Sequence, residues 1–373
     1  MIFVIYVSLV LRLFLSTFHS EFSSLPGASH DAVKYHLEAL KFYDLLNSLQ
    51  LDFENYDFEI GWIYSSFLGF IYYLFSPSFI LANYLSCFTW LISAHILRNV
   101  MIKLDYSTQS KIYGIITYSF LFPIFIIYAS TTLREVYILL FFNLFALSII
   151  NILLEKTKLT KFVYFLVMLI SSFFLIILHK SNIVFLGCFF ILMILYFFIN
   201  KINLSKVSIL LLIFSSTLFL HFDNNLIKLF DQINDYQIGH FNDFDFFRAN
   251  YYVKTDIEAR IYSFSSTLII LFQNLLNYWA QPTFLKVANM PDIILFYENI
   301  FRFFLFFLAL LKISNNFQNK HLFNILFIIY ITMEFIYAQA TVNWGTASRH
   351  HLPVFGILIL IAFFPSKENK LKK

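Results

Sequence analysis

The chain has 373 residues, of which 60% are hydrophobic, 21% aromatic and only 13% charged, with a formal net charge of +4. This composition excludes an ordinary soluble domain, because apolar runs long enough to cross about 30 Å of hydrocarbon recur along the whole chain. The small positive charge gives no reason to expect a nucleic-acid partner. The Lys and Arg residues fall in short loops, as membrane orientation requires.

Twelve hydrophobic segments follow one another along the chain. They lie at about 1–17, 60–75, 79–98, 112–130, 136–154, 162–179, 182–199, 207–222, 264–280, 294–312, 321–340 and 351–365. The first segment lacks the basic region and the small-residue cleavage site of a signal peptide, which predicts a retained span. We therefore expect a single all-α polytopic membrane domain over residues 1–373.

The charges of the first two polar loops argue that segment 60–75 does not cross the membrane. Loop 18–59 carries eight acidic residues and two Lys, whereas 98–111 carries three basic residues and one acid. If 60–75 crossed, both loops would lie on the same side, against the positive-inside rule. This short segment, interrupted by two glycines, is predicted to be a juxtamembrane helix within an outer loop at 18–78.

A second segment, 264–280, is also predicted to be a half-helix rather than a span. It contains three Asn or Gln residues, and we place it in an outer loop at 223–293. The inner loops then hold 14 Lys and Arg residues and only three acids. The resulting prediction is about ten transmembrane helices plus two re-entrant or juxtamembrane helices, with both termini cytoplasmic.

Ionisable residues gather on the predicted outer face. A cationic group there suits phosphate or pyrophosphate, which Arg binds through paired hydrogen bonds. Its members are Arg134, His179, Lys180, Arg349, His350 and His351. Asp31 and Glu135 supply carboxylates that could take a proton from a hydroxyl or hold a divalent ion. Capping of the helix that follows it is the alternative role for Asp31. Tyr35, from the same stretch SHDAVKYHLEAL, completes the candidate substrate-binding set.

Four other ionisable residues in apolar segments have structural interpretations. Arg12, in the first span, could extend its charge to the membrane surface. Glu298 and Arg302 are spaced as an i,i+4 ion pair. Glu334 could be satisfied by polar groups of neighbouring helices.

Four stretches resemble the GT-C superfamily of polytopic membrane glycosyltransferases. DAVKYHLEA resembles the first outer loop, where these enzymes place a catalytic Asp, and FEIGWIYSSFLGFIYYLFSPSFILANYLS resembles their juxtamembrane helix and second span. FPIFIIYASTTLREVYILLFF resembles the region of the second outer loop, where many members carry a second acid, here Glu135. NWGTASRHHLPVFGILIL resembles the C-terminal motif of bacterial surface-polysaccharide members, including repeat-unit polymerase-like proteins of O-antigen or capsule synthesis.

The resemblance implies a GT-C-like enzyme of the bacterial inner membrane that takes a sugar from an undecaprenyl- or other polyprenyl-(pyro)phosphate donor. Asp31 would be the general base on an acceptor hydroxyl, and Arg349 with its neighbours would hold the leaving phosphate. The expected partners are the lipid-linked sugar and membrane lipid, and a divalent cation at Asp31 and Glu135 stays open. A transporter or flippase of lipid-linked glycans is the alternative, although no internal repeat is visible.

Overall fold

A computed structural model describes residues 1–26, 29–48, 63–198, 264–314, 320–341 and 343–364. These residues form fourteen α-helices and a 3-10 turn at Phe284–Lys286. The helices are α1 (Ile2–Glu21), α2 (Ser29–Asn47), α3 (Ile63–Leu74), α4 (Phe79–Lys103), α5 (Thr108–Phe120), α6 (Pro123–Tyr128), α7 (Arg134–Leu154), α8 (Lys158–Leu178), α9 (Ser181–Phe198), α10 (Phe264–Ala280), α11 (Met290–Ser314), α12 (Lys320–Ala340), α13 (Trp344–His351) and α14 (Phe355–Ala362). The predicted all-α class is confirmed for the described residues.

Six of the described helices are long and apolar enough to cross a membrane, namely α1, α4, α7, α8, α11 and α12. Shorter apolar helices occur at Ile63–Leu74 and Ser181–Met193. The predicted span at 207–222 lies outside the described residues. The molecule is thus a helical polytopic membrane protein, while the finer figure of about ten spans stays a prediction.

Two predicted spans, 112–130 and 351–365, are not continuous helices. The first is divided into α5 and α6 before Pro123, and the second begins in α13 and resumes in α14 beyond Pro353. Proline has no N–H to donate and disfavours helical geometry in the residue before it, so it interrupts a helix. The two breaks also lie together, because the rings of Phe122 and Phe355 are 4.5 Å apart.

Helix α14 forms the centre of the bundle. All eight of its residues are buried, and it contacts α4, α5, α7, α11 and α12. A helix that is apolar all round belongs in such an interior position. Gly356 allows the closest approach, because a Cβ atom there would lie 2.3 Å from Asn143 Oδ1 on α7. In contrast, α8 exposes side chains such as Phe173 on the surface that faces lipid.

Helices α2 and α3 pack against each other as a hairpin. A hydrogen bond of 2.7 Å joins the His36 Nδ1 and Tyr72 Oη atoms. At the tightest point, a Cβ atom on Gly69 would lie 2.6 Å from the backbone oxygen of Ala39. The ring of Tyr64 then contacts Tyr137 at 5.1 Å, which docks the hairpin on α7. A short helix thus occupies the segment predicted at 60–75, and its place at the membrane surface stays a prediction.

Helix α10 contacts α12 in antiparallel register. Asn274 Nδ2 donates to Gln339 Oε1 near the end of α12, whereas Trp279 Nε1 donates to Glu334 Oε2 further inside. Gln281, just beyond α10, accepts at its backbone oxygen from Asn299 Nδ2 within α11. The C-terminal end of α10 therefore lies deeper between its neighbours than residue 274. The half-helix predicted at 264–280 stays a prediction.

Arg12 is buried in the bundle and does not extend to the membrane surface. Its side chain is 1% exposed, and its guanidinium carbon lies 3.6 Å from the centre of the Trp90 ring. It donates to the backbone oxygen of Ser119, 3.3 Å away, and to Ser8. The interpretation of Arg12 as a surface-seeking arginine is wrong, because stacking and hydrogen bonds hold it among α1, α4 and α5.

Candidate functional site

An ion pair at the candidate site joins an N-terminal helix of the chain to a C-terminal one. Asp31, in the first turn of α2, accepts a hydrogen bond through Oδ2 from Arg349 Nη1 in the last turn of α13. Arg349 is 15% exposed and Asp31 30%, so the pair is reachable from outside the core. Burial lowers the pKa of Arg349 to about 10, which leaves its guanidinium charged at neutral pH.

The start of α7 adds a second charged pair beside the first. Arg134 Nε lies 3.8 Å from Glu135 Oε1, and Glu135 is 3% exposed. The guanidinium of Arg134 also lies 6.0 Å from the ring centre of Tyr35 on α2. Burial raises the pKa of Tyr35 to about 12, so its hydroxyl keeps its proton at neutral pH. Arg134 thus connects the predicted acid on α7 with the helix that carries Asp31.

Two of the predicted histidines meet at the same end of the bundle. The rings of His179, at the end of α8, and His350, in α13, are 5.7 Å apart, edge to face. Both rings also contact Tyr337 on α12, at 5.4 Å and 4.6 Å. His350 Nδ1 is 2.8 Å from the hydroxyl oxygen of Thr341. These contacts hold the two imidazoles in fixed orientations.

The electrostatic surroundings keep both of these histidines neutral. Burial lowers the pKa of His179 to about 3, and the charge of Arg134 adds to the effect. Burial also holds the pKa of His350 well below its ordinary value, with further repulsion from Arg349 and Arg134. Desolvation and nearby positive charge both disfavour an imidazolium. The positive charge of the site therefore comes from the two arginines, whereas the histidines offer neutral donors and acceptors.

His351 points away from this group, although its neighbours in sequence belong to it. Its Nδ1 lies 2.8 Å from Glu334 Oε2, and its Nε2 lies 3.2 Å from the backbone oxygen of Tyr278. His351 and Glu334 are both 1% exposed in their side chains. Consecutive helical residues face different directions, so His351 reaches the helix interface while His350 reaches the site. Its predicted contact with substrate has no geometric support.

Lys180 is not joined to the cluster either. It is exposed, and within the described residues no hydrogen bond or ion pair of its side chain connects it to the arginines or carboxylates. It follows His179 directly in the turn between α8 and α9.

Several residues that shape the site were not among the predicted site residues. Tyr337, in the last turns of α12, and Thr341, just beyond its end, support the histidines. Trp344 Nε1 donates to Asp292 Oδ1 over 2.7 Å, which fixes the start of α13 against α11. The hydroxyl oxygens of Tyr128 and Ser348 are 2.7 Å apart, which fixes α13 against α6.

Each predicted carboxylate has an arginine as its ion-pair partner, Asp31 with Arg349 and Glu135 with Arg134. Within the described ranges no group of three or more His, Cys, Asp or Glu residues is arranged to hold a metal ion. The two arginines and the two carboxylates balance in charge, so an anion binds to an arginine here only by displacing its carboxylate. A phosphate that displaced Asp31 from Arg349 would leave a free carboxylate beside it.

No protein-family model, curated protein or solved structure matches the chain. The arrangement of the site residues is therefore the basis for a functional proposal. The class of the molecule, a helical polytopic membrane protein, follows from the described helices.

Proposed function

We propose that the protein is a membrane glycosyltransferase or repeat-unit polymerase that uses a polyprenyl-(pyro)phosphate-linked sugar on the outer face of a bacterial inner membrane. The observation that carries the proposal is the contact between Asp31 and Arg349. One comes from the stretch that resembles a catalytic loop, the other from the C-terminal polysaccharide-like motif. Their contact supports a common role in one reaction.

The proposed reaction is the displacement of a lipid phosphate by an acceptor hydroxyl. Asp31 takes the hydroxyl proton as the new bond to the anomeric carbon forms and the bond from that carbon to the phosphate oxygen breaks. The electron pair leaves with the phosphate, whose negative charge increases. Arg349 and Arg134 supply fixed positive charge where this charge develops, which stabilises the transition state most. Glu135 holds Arg134 in place from its buried position.

Surface polysaccharide from a strain deleted for the gene tests the proposal. The wild-type gene should restore the glycan pattern on a gel, and Asp31→Asn should fail to restore it at equal protein level. Asp44→Asn is the matched control, because Asp44 is an exposed carboxylate on the same helix. Loss of long chains in the deletion would indicate a polymerase, and a changed sugar composition would indicate a single-sugar transferase. Full restoration by Asp31→Asn would refute the role of Asp31 as base.

Two observations favour transport of lipid-linked glycans as a second candidate function. The breaks at Pro123 and Pro353 produce adjacent discontinuous helices, which in many transporters line the substrate site. Buried ionisable residues also occur within the spans, for example Arg12 and Arg302. A transporter would move labelled lipid-linked glycan across proteoliposome membranes without forming a glycosidic product. The glycan would then be chemically unchanged with the wild-type protein and with Asp31→Asn alike.

A further inference from the structure

Basic residues gather at the end of the bundle opposite the candidate site. Helix α7 begins at Arg134 within the site and ends at Leu154, and its 21 residues extend over about 30 Å, the thickness of the hydrocarbon core. Helix α8 then returns to the site, where it ends beside His179. The segment 155–161, here called the basic turn, joins the two helices and includes the start of α8. It therefore lies at the other membrane surface.

The positive charge of the basic turn exceeds its negative charge. Its sequence, EKTKLTK, contains three lysines and one glutamate. Glu155 forms an ion pair with Lys103, in the last turn of α4. Lys156, Lys158 and Lys161 take part in none of the ion pairs in the described part of the chain. The basic turn and Lys103 together thus hold four lysines against one glutamate, a net charge of +3.

These lysines do not stabilise the helix that carries them. Helix α8 begins with Lys158, has Lys161 one turn later and has no acid in its first turn. Positive side chains are unfavourable at a helix N-terminus, because the backbone dipole places partial positive charge there. Like charges one turn apart also repel each other. A bound anion would relieve both effects.

Lys103 extends the positive surface from a second helix. Its Nζ atom lies 5.7 Å from the ring centre of Tyr164, which is three residues beyond Lys161 on α8. Residues three apart lie on one side of a helix, so Tyr164 continues the stripe formed by Lys158 and Lys161. Helices α4 and α8 therefore contribute lysines to one surface. Tyrosine is also typical of the level of the lipid headgroups.

Exposed apolar side chains run beside the lysines on α8. Leu159 is 75% exposed and Phe162 is 57% exposed. Because they are three residues apart, they form an apolar stripe next to the stripe of Lys158 and Lys161. A phospholipid has the same arrangement, an anionic headgroup joined to apolar chains. Membrane orientation requires only the positive charge, whereas a lipid ligand matches both stripes.

We propose that the basic turn binds an anionic phospholipid, with the headgroup phosphate on Lys156, Lys158 and Lys161 and an acyl chain along Leu159 and Phe162. Lysines near a membrane surface each add to the attraction of anionic lipid. The bound lipid would join the ends of α4, α7 and α8, three of the helices long enough to cross a membrane. The inference does not depend on the proposed transfer reaction, because it uses none of the residues assigned to that reaction.

Equilibrium binding of a fluorescent phosphatidylglycerol to the full-length protein in dodecyl maltoside tests the proposal. The triple variant Lys156→Gln, Lys158→Gln, Lys161→Gln should weaken binding about ten- to hundredfold, the effect of three lysines near a headgroup. Wild-type affinity in this variant would overturn the proposal. If the triple variant does not fold, Lys158→Gln alone decides. It should weaken binding about fivefold, and an unchanged affinity would be equally decisive against the site.

A second triple variant controls for the change in net charge. Lys34→Gln, Lys41→Gln, Lys286→Gln removes three exposed lysines from other parts of the molecule. It should bind phosphatidylglycerol as the wild type does. Equal losses of affinity in the two triple variants would show that the lipid responds to the charge of the whole protein, and the basic turn would not be its site.

Competitors define the chemistry of the ligand. Phosphatidylcholine should not displace the label, since it has no net charge, and glycerol 1-phosphate should not, since it has no acyl chains. Equal competition by phosphatidylcholine would overturn the role of the lysines, and equal competition by glycerol 1-phosphate would assign the surface to a soluble phosphate instead. The double variant Leu159→Ser, Phe162→Ser should weaken binding several-fold, and wild-type affinity in it would refute the placement of the acyl chain.

Discussion

Asp31 and Arg349 are 318 positions apart in sequence, yet their side chains form an ion pair that joins α2 to α13. Both are partly exposed, at 30% and 15%, so solvent reduces the strength of their attraction. The pair therefore contributes little to the free energy of unfolding. Its significance lies in bringing a carboxylate and a guanidinium together at the end of the bundle where Arg134 and His350 also lie.

A double-mutant cycle on this pair should show modest coupling in stability. We expect Asp31→Asn and Arg349→Gln to have a coupling energy of about 1 kcal/mol or less, the usual range for a solvent-accessible pair. Thermal unfolding of the two single variants and the double variant in detergent measures it. A coupling of several kcal/mol would mean that the pair is a structural element rather than a site held ready for substrate.

Gly69→Ala should destabilise the hairpin of α2 and α3. The new methyl group would lie 2.6 Å from the backbone oxygen of Ala39, and a backbone atom cannot move aside cheaply. The expected cost is about 1–3 kcal/mol, typical of overpacking, and a lower thermal unfolding temperature would show it. Gly187→Ala is the matched control, because a Cβ atom there meets nothing within 4 Å. Equal unfolding temperatures for the two variants would contradict the close packing of this hairpin.

Acidification should destabilise the site end of the molecule before most carboxylates titrate. The folded state holds the pKa of His179 at about 3 and that of His350 well below its ordinary value, whereas in the unfolded chain both return to about 6.5. Between these values the unfolded state binds more protons, so stability is lost as pH falls below about 6.5. Above pH 7 the stability should not depend on these two histidines.

Thermal unfolding between pH 7.5 and 5 checks this expectation. The double variant His179→Gln, His350→Gln should lose less stability across that interval than the wild type. A control variant, His95→Gln, changes a histidine on α4 that contacts Tyr6 in α1. If the double variant and the wild type had the same pH dependence, the two imidazoles would not be neutral in the fold.

Arg12→Lys should destabilise the bundle although it keeps the charge. Arg12 stacks on Trp90 at 3.6 Å and donates through Nη1 to the Ser119 backbone oxygen, and a lysine ammonium cannot reproduce the planar stack. A loss of about 1–2 kcal/mol is expected for a desolvated stacked cation, measured as a lower unfolding temperature. Arg98→Lys should leave that temperature unchanged, and equal effects of the two substitutions would show that Arg12 acts by charge alone.

Much of the fold and part of the site were predictable because the membrane makes charge expensive. Asp31, Arg134 and Arg349 each stand beside an apolar segment, and such residues draw attention as candidates for function. Their contacts were not predictable, since local patterns say nothing about which segment ends meet. The helix breaks at Pro123 and Pro353 were predictable from the prolines themselves, but a span assignment based on hydrophobicity alone does not show them.

Adjacent residues with the same chemistry show where sequence reasoning stops. His350 faces the cluster at Thr341, whereas His351 binds Glu334 in a helix interface. The two roles differ only because successive residues of α13 point in different directions around the helix axis. In the same way, Glu298 follows the spacing of an ion pair with Arg302 but serves the end of α6, because that distant helix start was not visible in the local pattern.

The binding of a polyprenyl phosphate measures the central claim most directly, because the phosphate leaving group is the same whichever sugar is transferred. Equilibrium binding of a short-chain polyprenyl phosphate to the purified protein should weaken at least about tenfold in Arg349→Gln, the cost of losing charge-assisted hydrogen bonds. It should be unchanged in Arg302→Gln, because Arg302 is buried and its guanidinium donates to the Trp279 backbone oxygen and to Asn299 Oδ1. Wild-type affinity in Arg349→Gln, or loss of binding in Arg302→Gln alone, would contradict the assignment of the phosphate site to the cluster around Asp31 and Arg349.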